Sequence, residues 1–225
     1  KWQYLVPNPF IIKNIFSTGL PSVITNLVIT MVLIVYNHVL APFGSSAIAA
    51  LGICFRVNGL VTMVLFGIGF GMMPVVGFSQ GAKLYDRLCK SVNVSVKVST
   101  YFAAISSIIL IILAKDIVAI FTNDPDLIAI AATALRIYIS VLVFSAPITI
   151  YINMFIGLGK GTLAMYLLFI RDTILLIPLL IILSKWLGLI GAWAALPIAT
   201  IIAFFVIHAR AQKELSKFAK LSAKK

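Results

Sequence analysis

Apolar residues follow one another along this chain in six long stretches, separated by short polar or Gly/Pro-rich links. The stretches cover residues 18–41, 49–79, 92–114, 127–158, 163–184 and 187–209. Each contains the roughly 20 mostly apolar residues that an α-helix needs to cross a bilayer. The pattern therefore predicts an all-α integral membrane protein with six transmembrane helices.

Composition agrees with this pattern and narrows the class of protein. Hydrophobic residues make up 62% of the 225 residues and charged ones only 11%, whereas a soluble domain must cover its exterior with polar groups. The net charge of +12 could indicate nucleic-acid binding. The cations lie in the links and at the C-terminus, however, without an aromatic-rich basic groove. We expect the lipid bilayer as a partner and no nucleic acid.

The lysines and arginines in the links orient the helices. The N-terminus, the second and fourth links and the C-terminus share one side and hold twelve Lys and Arg residues, whereas the other side holds Lys115 and Lys185. Short cytoplasmic loops carry the excess of positive charge. The sequence therefore predicts a multi-pass protein of the cell membrane with both termini in the cytoplasm.

Two segments flank the transmembrane region, residues 18–209. Residues 1–17 are predicted as a cytoplasmic or interfacial segment, in which residues 9–16 either form an amphipathic interfacial helix or extend the first span. Residues 210–225 are a basic cytoplasmic tail. Near anionic lipid each of its cations would contribute about 1 kcal/mol to anchoring.

Five charged residues fall inside the apolar stretches, and one of them, Lys97, can reach the inner interface. Arg56 and Arg136 are each followed by a full uncharged span, so both can lie at the outer interface and snorkel. Arg171 and Asp172 are followed by only twelve uncharged residues before Lys185, too few to cross the hydrocarbon core. Adjacent residues do not face each other on an α-helix, so each is expected to need a partner on another span or in a water-filled cavity. Asp172 is a candidate cation or proton site, and a structural ion pair is the alternative.

Uncharged polar side chains mark the first and fourth spans. Asn26 and Thr30 lie in the first, and Tyr151 and Asn153 lie in the fourth. Because an unpaired amide in hydrocarbon costs several kcal/mol, these groups should face other helices or a cavity. We expect interhelical hydrogen bonds, with a substrate path as the alternative hypothesis.

The stretch GFGMMPVVGFSQGAK, residues 69–83, places glycines and a proline at the end of the second span. Proline removes a backbone donor, and glycine lets neighbouring helices approach closely. Gly77 and Gly81 are expected to serve packing and the helix end. Gly69, Gly71 and Pro74 are hinge candidates.

Motifs of enzyme chemistry are incomplete in this sequence. GLGKGT, residues 157–162, fails the phosphate-loop pattern because Met154 stands at its first glycine position. His38 and His208 are predicted near opposite ends of the protein, and the two cysteines have no metal-ligand spacing. We expect no enzyme activity, no catalytic residue, no metal and no cofactor.

Several segments occur together in the order found in one known family of membrane proteins. They are GLPSVITNL (19–27), ALRIYI (134–139), FIGLGKG (155–161), RDTILLIPLL (171–180) and GLIGAWAALPI (188–198). A P-x-x-G-x-N-x-G-A motif with a following basic residue is matched by Pro74, Gly77, Gly81, Ala82 and Lys83, with Ser79 in place of asparagine. The chain thus resembles the C-terminal half of a multidrug and toxic compound extrusion (MATE) transporter, with 19–27 similar to the start of its seventh helix and the segments from 134 onward similar to its tenth to twelfth.

The resemblance implies one six-helix lobe of a two-lobe, twelve-helix transporter, whose N-terminal lobe would be a partner. It implies export of small amphipathic or cationic compounds in exchange for Na⁺ or H⁺, by alternating access. One branch of the family carries acids in the seventh and tenth helices, but the matching spans here hold none, and Ile156 replaces a frequent glutamine. Coupling is then implied through the first-helix acid of the other lobe, with Asp172 as the second candidate.

Two alternatives remain open from the sequence. A lipid-linked glycan flippase of related fold would need several cavity cations for a pyrophosphate, and Arg171 is the one predicted well inside. A six-span channel-like or structural subunit would act as a symmetric oligomer.

Overall fold

The computed structural model describes residues 9–222, with side chains from residue 23 onward. The first three helices are long and continuous. They are α1 (Pro9–Leu40), α2 (Ser45–Gly81) and α3 (Tyr85–Ile112), with one 3₁₀ turn at Ala41–Phe43 between α1 and α2. The helix α1 is unbroken, so residues 9–16 are part of the same helix as the predicted first span. Whether they lie in the interface stays a prediction. Residues 1–8 of the predicted N-terminal segment lie outside the described part of the chain.

The fourth predicted span, 127–158, is broken rather than continuous. It consists of α5 (Pro125–Ile139) and α6 (Leu142–Gly157), which are bent by 50°. The break falls at Ser140, whose hydroxyl donates to the Ile137 carbonyl at 2.7 Å and so competes with the helix backbone. The short helix α4 (Ala114–Ala119) lies in the preceding link. Asp124 caps α5 by accepting from the Asp126 amide at 3.0 Å.

The last apolar segment reverses direction. It runs through α7 (Gly161–Phe169), a π-helical turn (Ile170–Leu175) and α8 (Leu176–Ser222). Gly188 has φ 61° and ψ −140°, and a Cβ on Gly191 would clash with the Leu183 carbonyl. A left-handed φ favours glycine, which explains the turn there, three residues beyond Lys185.

Contacts between the segment's ends confirm this reversal. The Lys160 ammonium lies 2.8 Å from a carboxylate oxygen of Glu214. In a straight helix these residues would be about 80 Å apart at 1.5 Å per residue. The segment Gly161–Ser222 therefore folds back on itself at Gly188. We call the part of α8 that follows Gly188 α8b.

The described helices include several that are long and apolar enough to cross a membrane. They are Val23–Phe43, Ser45–Gly81, Tyr85–Ile112 and Gly161–Ser222, and the bent pair α5/α6 adds a fifth. The reversal at Gly188 would allow Gly161–Ser222 to cross twice, which is compatible with the six predicted spans. The protein is an all-α, multi-pass membrane protein.

Two apolar clusters form the interior. The first lies between α1, α2, α5 and α8 and includes Tyr36, Leu135 and Trp193. The second lies between α2, α3, α6 and α8b and includes Leu88 and Ile207. Large apolar side chains also remain exposed along α1, α2 and α3. Such faces are expected where helices meet lipid or another membrane segment.

Candidate functional site

The candidate site centres on a charged pair in the fifth span. The Arg171 side chain donates through Nε to Asp172 Oδ1 at 2.7 Å and through its terminal nitrogen to Oδ2 at 3.0 Å. The expectation that each residue needs a partner on another span was wrong. Both lie in the π-helical turn, whose wider winding changes the side-chain directions of an α-helix, and the long arginine folds back onto its neighbour.

Apolar packing surrounds this pair. The Asp172 side chain is 10% accessible and that of Arg171 25%. A small cleft of about 10 Å³ beside Asp172 is lined from α1 by Ile24, Thr25 and Val28. This volume is close to the minimum that holds one water molecule. The carboxylate is therefore nearly enclosed, with both oxygens engaged by one guanidinium.

Further buried hydroxyls lie in this part of the lobe. Thr173 follows Asp172 in the π-helical turn, and its hydroxyl is among the buried side-chain atoms of the described residues without a hydrogen-bond partner, as are the Tyr36 and Tyr138 hydroxyls. The Phe55 ring makes edge-to-face contacts with both tyrosine rings. Such hydroxyls are unusual inside an otherwise apolar core.

The polar residues of the first span lie on the lobe surface. Asn26 and Thr30 are both exposed, and the Thr30 hydroxyl donates to the Asn26 carbonyl at 3.1 Å. One turn separates the two residues, so they occupy the same face of α1. This face can therefore meet a solute, lipid or another protein segment.

The polar residues of the fourth span are buried between helices instead. The Tyr151 hydroxyl is 3.1 Å from Nδ1 of His208 on α8b. The Asn153 amide donates to the Thr149 carbonyl at 2.9 Å. The Tyr151–His208 contact is interhelical as expected, whereas the Asn153 amide bonds within its own helix α6. A substrate role for either residue stays a prediction. The Tyr151–His208 pair was missed because the two residues are 57 positions apart.

The glycine-rich stretch lies where α2 crosses α6. A Cβ on Gly69 would come within 2.6 Å of the Asn153 amide nitrogen, and one on Gly157 within 2.8 Å of the Met73 carbonyl. A Cβ on Gly77 would be 3.2 Å from the Gly157 carbonyl, whereas Gly71 has open space. Close packing explains Gly69 and Gly77.

Pro74 lies inside the uninterrupted helix α2 and is exposed. Gly81 is the last residue of α2, as expected for a residue that ends a helix. The hinge role of Gly69, Gly71 and Pro74 stays a prediction.

The other arginines are at the surface. Arg136 is exposed and donates through Nε to the Ile111 carbonyl at 3.3 Å, within the last turn of α3. A cation is favourable at a helix C-terminus. Arg56 is also exposed. The expected location of both residues at the outer interface stays a prediction.

The sequence analysis missed the buried carboxylate of Glu214. Residues 210–222 continue α8b as a helix, and Glu214 is 4% exposed with Lys160 at 2.8 Å and Lys217 at 3.1 Å. About 20 residues after Gly188 suffice to cross the bilayer, so Glu214 lies in the tail beyond the span. The hydrogen bond from Lys160 lowers the pKa of Glu214 against the opposing effect of burial.

The tail makes further contacts with α3. The Cys89 thiol is 3.7 Å from the Leu215 carbonyl, and the Tyr85 and Phe218 rings are 5.6 Å apart. The tail is thus a docked helix through residue 222, beyond which the chain is outside the described range. The sequence signal was a single glutamate in a lysine-rich segment, but its main partner is 54 residues away.

No group of three or more His, Cys, Asp and Glu side chains that could hold a metal occurs in the described part of the chain. Cys54 is buried and Cys89 partly buried, and neither forms a disulfide there.

One family model and several curated proteins of known name match this chain. The family model described as MatE matches residues 21–182. The multidrug export protein MepA of Staphylococcus haemolyticus (strain JCSC1435) is 26% identical over 209 residues, which are 91% of this chain and 45% of that protein. MepA of Staphylococcus aureus (strain MSSA476) is 26% identical over 194 residues, 84% of this chain and 42% of that protein.

Solved structures share the fold. The inward-facing conformation of a multidrug resistance MATE family transporter of the MOP superfamily superposes with a TM-score of 0.88 at 21% identity, covering 98% of this chain and 51% of that one. The outward-facing conformation gives 0.87 at 21% identity, with 95% and 49% covered. This chain therefore spans about half the length of the proteins it matches.

Proposed function

Because the chain belongs to the MatE family, whose model matches residues 21–182, we propose that it is the C-terminal six-helix lobe of a secondary-active exporter. The family match carries this proposal. MatE proteins are membrane transporters rather than enzymes. The exported compounds would be drugs or other amphipathic, cationic organic molecules, in exchange for Na⁺ or H⁺. The curated relatives are named multidrug export proteins.

A second six-helix lobe would complete the transporter. The relatives are about twice as long as this chain, and apolar faces of α1 and α2 are exposed. The lobe superposes almost equally well on the inward-facing and the outward-facing transporter, with TM-scores of 0.88 and 0.87. This supports alternating access in which each lobe keeps its fold and rocks against the other. Any hinge at Gly71 or Pro74 would then act over a small angle.

The substrate path would run along the polar face of α1. Asn26 and Thr30 are exposed there, whereas Tyr151 and Asn153 are buried and would reach substrate only after a rearrangement. The Asn26 amide and the Thr30 hydroxyl are uncharged groups that can hydrogen-bond to a ligand. Such groups suit substrates of varied chemistry. Asn26→Ala with Thr30→Ala should raise the KM for export. The exposed Ile105→Ala on α3 is the matched control, and an equal change in both variants would contradict this path.

Asp172 is the coupling site that this lobe would contribute. Its burial and its two bonds from Arg171 leave no space for a hydrated cation. A proton, in contrast, needs no space and would neutralise the carboxylate and release the guanidinium. The geometry therefore favours H⁺ over Na⁺ at this residue. The same pairing weakens the flippase alternative, since Arg171 is not available to a pyrophosphate.

The protein would lie in the cell membrane with both termini in the cytoplasm. The cation-rich links then face the cytoplasm, together with the docked tail that contains Glu214. The turn at Gly188 would then lie on the outer side of the membrane.

Expression of this lobe with and without an N-terminal six-helix lobe tests the proposal. We expect efflux of a fluorescent organic cation only when both lobes are present. A protonophore should abolish it, whereas collapse of the Na⁺ gradient alone should not. Efflux by this lobe alone would instead support a six-span oligomer. The lack of efflux by two folded, associated lobes would contradict the exporter.

A further inference from the structure

A groove lies between the end of α2 and the beginning of α3. Its volume is about 510 Å³, within the range of about 300–1,000 Å³ that is typical of ligand sites. Its walls are apolar and come from both helices, with Ile68, Met72 and Val75 on α2 and Val94 on α3. Gly71 lies between the α2 residues, and no atom lies within 4 Å of the position of a Cβ there. The missing side chain keeps this wall open.

One end of the groove is cationic. Arg87 and Lys90 line it in the first two turns of α3 and are exposed, with Ser91 and Ser95 beside them. Arg87, Ser91 and Val94 follow the i, i+4, i+7 spacing of one helix face. Val94 is about 10 Å farther along the helix than Arg87. The two cations are in none of the ion pairs found among the described residues. Asp86 is the neighbouring acid, so the local charge stays positive.

The groove opens onto a surface suited to lipid. From the groove toward its C-terminal end, α3 exposes a row of apolar side chains: Val94, Val98, Tyr101, Ile105, Ile108 and Ile112. The exposed polar residues of α3 next to this stripe, Asn93 and Lys97, lie within two turns of Lys90. Exposed polar residues are spread along α1 instead, at Asn26, Thr30, Asn37 and His38. An unbroken apolar stripe is favourable in hydrocarbon, whereas amides would not be. The groove is thus continuous with the side of the lobe that fits the bilayer.

We propose that the α2–α3 groove binds an anionic phospholipid. The phosphate lies between Arg87 and Lys90, and Ser91 donates a hydroxyl to a phosphate or ester oxygen. One acyl chain follows the apolar walls past Gly71. Charge-assisted hydrogen bonds from a guanidinium suit a phosphate, and the apolar groove distinguishes a lipid from a free phosphate. The site is independent of the exported substrate and of Asp172.

Native mass spectrometry of the complete transporter tests this proposal, with phosphatidylglycerol and phosphatidylcholine of the same acyl chains as probes. We expect phosphatidylglycerol to bind at least tenfold more tightly than phosphatidylcholine. Arg87→Gln with Lys90→Gln should weaken its binding about thirtyfold, which converts to about 2 kcal/mol. Lys115→Gln with Lys185→Gln removes the same charge at two exposed residues on the predicted opposite side of the membrane, and it should leave binding within about threefold of the native value.

A filled groove tests the acyl-chain contact. Gly71→Leu, at an exposed position with open space, should reduce phosphatidylglycerol binding about tenfold without lowering the unfolding temperature. Millimolar glycerol phosphate should not compete with the lipid. Equal binding of the two lipids, or an equal loss in both double variants, would overturn the proposal, as would displacement by glycerol phosphate.

Discussion

Two nearly buried carboxylates, Asp172 in the fifth span and Glu214 in the tail, are each held by cations but differ in what the ion pair connects. Asp172 is bound by its own neighbour Arg171, so the pair joins no two helices. Glu214 binds Lys160, 54 residues away, and Lys217 at i+3. It therefore joins the link before α7 to the end of α8b.

We propose that this difference separates a structural role of Glu214 from a coupling role of Asp172. A tie between distant segments contributes to the fold, and Glu214 with the Cys89–Leu215 and Tyr85–Phe218 contacts keeps the tail on α3. An ion pair between neighbouring residues connects no two helices, yet burying it still requires both charges to be desolvated. The desolvation free energy of the Arg171–Asp172 pair is therefore not offset by a contribution to helix packing. This is the physical reason to assign ion coupling to Asp172 rather than to Glu214.

Removing one member of the membrane pair should have the largest effect. Asp172→Ala leaves the Arg171 guanidinium, 25% accessible, without its carboxylate. Breaking a buried pair in this way costs about 3–5 kcal/mol, and we expect about 3 kcal/mol because Arg171 retains some contact with solvent. Thermal unfolding in detergent measures the loss. Arg171→Leu with Asp172→Leu should recover most of it, and an equally unstable double variant would show that the pair has a structural role.

Weakening the tail contact should have a smaller effect. Glu214→Gln removes the negative charge and leaves one oxygen to accept a hydrogen bond from a lysine. Because Lys160 and Lys217 are 40% and 57% accessible, the loss should be about 1 kcal/mol. Maleimide labelling of Cys89 should become faster as the tail moves away, while the buried Cys54 stays protected. Lys213→Gln, on the exposed side of the tail, should change nothing. Unchanged Cys89 labelling in Glu214→Gln would mean that the tail is held by its apolar contacts alone.

Acid should release the tail through the same residue. The pKa of Glu214 is lowered in the folded protein, with the hydrogen bond from Lys160 as the main cause. Its contribution is therefore complete above the ordinary glutamate pKa of about 4.3 and is lost as the pH falls through the lowered value. Glu214 is the only glutamate of the chain. Selective ¹³C labelling then gives one carboxyl signal to titrate, and a midpoint above 4.3 would contradict the assignment.

The sequence predicted the elements well because long apolar stretches and their charge bias are local signals. The six spans, the turn near Lys185 and the close packing at Gly77 all followed from residues within one segment. The break at Ser140 was missed because apolar residues continue on both sides of it, and the only signal was one serine in a longer run. The π-helical turn was missed because no residue pattern specifies it.

The contacts of the site depended on tertiary structure and could be predicted only in part. Asp172 was recognised from its distance to Lys185, a calculation that needs only helix rise. Its partner was not, since the rule for adjacent residues applies to a regular α-helix. The Lys160–Glu214 and Tyr151–His208 contacts could not be predicted from the sequence, because each joins residues that are more than 50 positions apart.

Ion-driven efflux by the complete transporter in proteoliposomes tests the central claim most directly, with Asp172→Asn and Glu214→Gln compared at equal amounts of folded protein. Asparagine keeps the shape of the side chain and can still accept a hydrogen bond from Arg171, but it carries no titratable proton. We predict that Asp172→Asn abolishes efflux driven by a proton gradient, while Glu214→Gln retains at least half of it. Unchanged efflux in Asp172→Asn would contradict the account and return Asp172 to a structural role.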